Sequence, residues 1–106
     1  MPKYLTVASY TAEGAKGLLK EGGTARRAAV EKLMKSLGGH LEAFYFAFGE
    51  NDAYIITEVP DNVTMAALSL AVSASGSIRT KTIVLLTPDE IDQAAKRTVE
   101  FRPPGN

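Results

Sequence analysis

Residues 41–59 read Leu-Glu-Ala-Phe-Tyr-Phe-Ala-Phe-Gly-Glu-Asn-Asp-Ala-Tyr-Ile-Ile-Thr-Glu-Val. Two apolar runs flank the turn-forming Gly49-Glu50-Asn51-Asp52, which predicts a β-hairpin. A two-residue loop at Glu50-Asn51 sets Phe48 opposite Ala53, Phe46 opposite Ile55 and Phe44 opposite Thr57. Those residues share a face with Val59. The other face carries Ala43, Tyr45, Ala47, Tyr54, Ile56 and Glu58. A strand with one wet side alternates apolar with polar residues, and here both sides are largely apolar. Both faces therefore need cover: helices of this chain on one, a second copy of the chain on the other.

The flanking segments supply the helices. Tyr4 to Tyr10 is rich in β-branched and aromatic residues and reads as a first strand, with Leu5 and Val7 on one side and Tyr4, Thr6, Ala8 and Tyr10 on the other. Thr11 is an N-cap for a helix to Glu21 with Ala15, Leu18 and Leu19 as its apolar stripe. Gly22-Gly23 breaks that helix, because glycine costs about 1 kcal/mol against alanine in a helix interior. Thr24 is the expected cap of the next helix, which ends at Gly38-Gly39 and turns Ala29, Val30, Leu33, Met34 and Leu37 inward. Arg26, Arg27, Lys32 and Lys35 read as its solvated face, with an anion site at the Gly22-Gly23-Thr24 helix start as the sharper alternative.

Beyond the hairpin, Asp61 caps a third helix ending near Ser75. From Asn62 to Ile78 there is no charged residue. A surface helix shows a charged outer face, so this one is expected to be covered on two sides, one against the sheet and one against another chain, with membrane contact as the lesser alternative. Ile78 to Leu86 reads as the last strand. Thr87-Pro88-Asp89-Glu90 forms a capping box for a short helix to about Arg97, followed by an extended tail over residues 99–106 that suits an arm across a neighbour.

The order β-α-β-β-α-β plus a terminal helix is the ferredoxin-like split βαβ arrangement, an α+β fold in one domain over residues 1–106. Right-handed crossovers place both main helices on one side of a four-stranded antiparallel sheet. The reading puts Tyr45, Tyr54, Ile56, Thr6 and Ala8 on the bare side. Two such sheets packed face to face make a dimeric α/β barrel.

A resemblance fits this order. Tyr4-Leu5, Ser9-Tyr10-Thr11, Leu37-Gly38-Gly39, Ala43-Phe44-Tyr45-Phe46-Ala47-Phe48-Gly49 and Ser75-Gly76-Ser77-Ile78-Arg79-Thr80-Lys81-Thr82 resemble the GYD domain family, over nearly all of Lys3 to Pro104. The resemblance implies the dimeric α/β-barrel fold and self-association, and leaves the chemistry open because the family's function is unknown. The eponymous Gly-Tyr-Asp is not intact: Gly49 and Asp52 match, with Glu50-Asn51 in place of the tyrosine.

Composition narrows the function classes. Twelve Lys and Arg balance twelve Asp and Glu, leaving no global field for nucleic acid or an anionic membrane. There is no cysteine and one histidine, which excludes thiol chemistry, disulfides and a multi-histidine metal site. No apolar run approaches the ~20 residues of a membrane helix, and residues 1–6 lack the apolar core of a signal peptide, so a cytoplasmic protein is expected. Asp52 is expected to cap its turn through the backbone.

The candidate binding residues are Tyr10, Tyr54, Glu58 and Lys81, expected to point into the barrel, with His40 at the entrance to the second strand. A Glu58–Lys81 ion pair is the plain alternative to a ligand site. The preferred reading is a homo-oligomeric domain that binds a small molecule in the barrel without a cofactor. A cofactor-independent enzyme of monooxygenase or isomerase type using Tyr, Glu and Lys is the second reading, and a structural assembly module the third.

Overall fold

The chain, seen in a computed structural model that describes residues 1–105, follows the order β1 (Lys3–Tyr10), α1 (Ala12–Glu21), α2 (Gly23–Ser36), β2 (His40–Phe46), β3 (Ala53–Glu58), α3 (Asn62–Ala74), β4 (Ile78–Leu85) and α4 (Pro88–Ala95). The strands form one antiparallel sheet in the order β2-β3-β1-β4. This is the ferredoxin-like arrangement, with α2 and α3 on one side of the sheet.

Local chemistry sets the helix ends. Thr11 accepts from the Gly14 amide, Asp61 from the Thr64 amide, and Thr87 and Glu90 complete a reciprocal capping box. Gly22 stands at φ 86° between α1 and α2, a left-handed conformation that other residues resist. It also serves as the N-cap of α2, so Thr24 lies in the first turn rather than capping it. Gly39 has a different reason to be glycine: a Cβ there would lie 2.0 Å from the Glu58 carbonyl oxygen. Only a bare backbone lets β2 start this close to the end of β3.

The core lies between the sheet and the two helices. Tyr4, Val30, Met34, Val59 and Met65 form its buried centre, with Leu37, Leu41, Phe44, Ile55 and Leu68 packed around it. The Tyr4 hydroxyl donates to Asn62 Oδ1 and ties β1 to the start of α3. Apolar burial of this kind contributes roughly 25 cal/mol per Å². The expected α1 stripe is not part of the core. Leu19 is 87% exposed and no residue of α1 is buried.

The hairpin register differs from the sequence reading. Phe46, not Phe48, opposes Ala53, and Phe44 opposes Ile55. The loop runs over residues 47–52, and its far end is drawn onto β1. The Asp52 amide donates to the Ala8 carbonyl, Asp52 Oδ2 accepts from the Tyr10 amide, both at 2.8 Å, and Ser9 donates to the Glu50 carbonyl. Asp52 thus closes its own turn through the backbone, as expected, its carbonyl accepting from the Ala47 amide at 2.8 Å, and it also ties the loop to β1. The shift is two residues, so the paired side chains Ala43 to Phe46 and Ala53 to Ile56 keep their faces, while Ala47 and Phe48 leave the sheet for the loop, where Phe48 is fully exposed. A bulge at Glu42 then turns Leu41 toward the helices.

The phase of β1 is the second correction. Thr6 and Ala8 lie under the helices, in register with Ile55 and Ala53, and Ala8 is 3% exposed. Leu5 and Val7 occupy the open side instead. Within the single chain α3 buries only Met65, while Val63 and Leu70 are 79% and 72% exposed, so its outer side is open.

Candidate functional site: the open face of the sheet

Strand register builds the uncovered face row by row. The outermost row runs His40, Glu58, Lys3, Leu85, followed by Ala43, Ile56, Leu5, Ile83. The next is Tyr45, Tyr54, Val7, Lys81, and the last holds Ser9 and Arg79. The middle rows are apolar and no helix of the chain lies over them. Tyr45 is 71% exposed.

Charge gathers at two diagonally opposite corners. At the β2–β3 corner, His40 Nε2 lies 3.0 Å from Glu58 Oε2, and Lys3 Nζ lies 2.8 Å from Glu42 Oε1 and 3.8 Å from Glu58 Oε1. The Glu42 hydrogen bond, with further attraction from both carboxylates, raises the Lys3 pKa against a desolvation that lowers it. The other corner, on β4, carries Arg79 and Lys81.

Four of the five candidate residues therefore share this face: His40, Tyr54, Glu58 and Lys81. Glu58 is paired with His40 and Lys3, not with Lys81, which stands beyond β1. Tyr10 is not among them. It sits on the helix side beside Arg26, and burial raises its pKa while the Arg26 charge and hydrogen bond pull the other way. Gly49 and Asp52 remain at the hairpin turn. Sequence reasoning missed Lys3 and Glu42, and the i, i+2 parity of β1 together with the bulge explains why. Among the described residues no group of three or more His, Cys, Asp or Glu side chains is placed to hold a metal ion, and no helix is long and apolar enough to cross a membrane.

An α+β sheet with helices on one side and an apolar, charge-cornered face on the other defines a ferredoxin-like domain with an unpartnered side. A family model for the GYD domain matches residues 4–95, and the chain belongs to that family. Comparison with curated proteins and with solved structures gave no match.

Proposed function

We propose that the chain works as a homodimer whose two open sheet faces close on one another and hold a small molecule between them. The observation that carries this reading is the pattern of the open face, with apolar rows inside and charges at opposite corners. That is the layout of an interface core with a polar rim. A two-fold axis lying in the interface along the uncharged diagonal would seat the Glu42–Glu58 corner of each copy on the Arg79–Lys81 corner of the other. Such an axis makes the strands of the two sheets cross at roughly right angles, one of the two favoured sheet packings. The exposed Leu86, Ile91, Val99 and Phe101 extend the apolar surface beyond β4. They fit an arm that wraps the partner.

Within the closed pair, Tyr54, His40 and Glu58 supply hydroxyl, imidazole and carboxylate groups at the edge of an apolar chamber, a composition typical of small-molecule sites. Carbodiimide cross-linking of mixed light and 15N-labelled protein tests the closure. Glu42 or Glu58 joined to Lys81 in mixed-isotope peptides is the expected product. Mixed-isotope cross-links confined to other surfaces would overturn the reading.

One observation favours the cofactor-independent enzyme as a second reading. Glu58 holds His40 through Nε2, which leaves Nδ1 free to act as a base, the logic of a carboxylate-oriented histidine. Under this reading His40→Gln abolishes turnover of the substrate and leaves the dimer mass unchanged. A variant with full turnover would remove it.

A further inference from the structure

On the opposite side of the sheet, α2 lies over β2 and α3 over β4, and the strip between them is not filled. An apolar cleft of about 70 Å³ remains above β1 and β3. The helix spacing makes its walls. Val30, Leu33 and Met34 from α2 face Met65, Leu68 and Val72 from α3. Thr57 of β3 lines the same cleft. It is 2% exposed, and its hydroxyl is buried with no hydrogen-bond partner. A hydroxyl left without a partner in the interior is costly, and native structures seldom tolerate it. At one end the apolar lining gives way to Arg26 and Tyr10.

We infer that this cleft is a binding site for a small monocarboxylic acid with a branched or cyclic apolar body. The volume sets the size. A water occupies about 10–15 Å³ on the same measure, so the cleft takes about five to seven heavy atoms. The walls accept an alkyl body. The carboxylate lies at the Arg26 end, where the guanidinium supplies a planar fork of donors and the Tyr10 hydroxyl a further one. A tyrosine hydroxyl is protonated at neutral pH and so remains a donor. Glu21 lies with Tyr10 and Arg26 around the depression that adjoins this end, and its negative charge disfavours a second carboxylate on the ligand. This site lies on the helix side and does not depend on the two open faces closing.

The chain's methionines give a direct readout. Met34 and Met65 border the cleft, and the third, Met1, does not. With methyl-13C methionine, titration with isovalerate should move the Met34 and Met65 signals saturably and leave Met1 in place. Isovaleramide, the uncharged analogue, should bind about tenfold more weakly, as should isovalerate to Arg26→Leu. Thr57→Val, at the Tyr4 end of the strip, should leave isovalerate binding within about twofold and raise the melting temperature of the free protein, because it removes a partnerless hydroxyl. Unmoved Met34 and Met65 signals at high millimolar isovalerate would overturn the inference. So would equal affinity for acid and amide, or an Arg26→Leu variant that binds isovalerate as tightly as the parent chain.

Discussion

The two faces of this sheet are built from similar residues and end in opposite states. On the helix side Tyr4 and Thr57 are 2% exposed and Ala53 is fully buried, whereas on the open side Tyr54 and Ile83 are 39% and 41% exposed. The helix side mixes large residues over β2 with small Thr6 and Ala8 in the centre, so α2 and α3 approach and leave one narrow cleft. The open side has large residues in the centre and charges only at its corners. Apolar content therefore does not say which face is the core. The distribution of size and charge across the rows does.

This contrast can be broken from either side. Tyr4→Ala deletes the largest buried side chain of the helix face, and should cost about 3–5 kcal/mol in denaturant unfolding. Tyr45→Ala on the open face should leave monomer stability within about 0.5 kcal/mol. Similar losses for the two would mean that the open face is already packed within one chain.

Next in size is Ile56→Glu at the centre of the open face. It should raise the dimer dissociation constant about 30-fold or more by sedimentation, with an unchanged far-UV spectrum. Lys81→Glu should weaken the dimer about tenfold, and adding Glu42→Lys should restore part of the loss if the two corners meet across the axis. No restoration would point to a different crossing angle.

The smallest effect belongs to Asp61. Hydrogen bonds from the Thr64 amide and hydroxyl hold its carboxyl below the usual range. A folded-state pKa below the unfolded one contributes stability that is present above the unfolded pKa and lost as pH falls through the folded pKa. Stability should therefore fall on acidification below the ordinary carboxylate range, and Asp61→Asn should flatten that part of the melting profile.

Much of the fold was legible because it was encoded locally. Thr11, Asp61 and Thr87 announced their helices, and Gly22 and Gly38-Gly39 punctuated the chain where the structure breaks. The hairpin register was not legible, because Asp52 is held by Ala8 and Tyr10 of β1, more than forty residues away in sequence. The phase of β1 escaped for another reason. Leu5-Val7 and Tyr4-Thr6-Ala8 are both plausible core sets, and burial is decided by the register with β3 and β4. Of the candidate site, Tyr54 and Glu58 followed from strand parity once the hairpin faces were known, whereas the face of Lys81 is set by the pairing of β4 with β1, which the sequence left ambiguous. Tyr10 fell with the phase of β1. The one available signal for the inter-helix cleft was Thr57, a polar residue assigned to the face with Val59 and given no role there.

Sedimentation equilibrium of the full chain from about 1 to 100 μM tests the central claim most directly. The account predicts a mass of twice 11.3 kDa that falls to the single-chain value in Ile56→Glu. A wild-type chain that stays at 11.3 kDa across the whole range, with Tyr45 and Ile56 facing water, would contradict it.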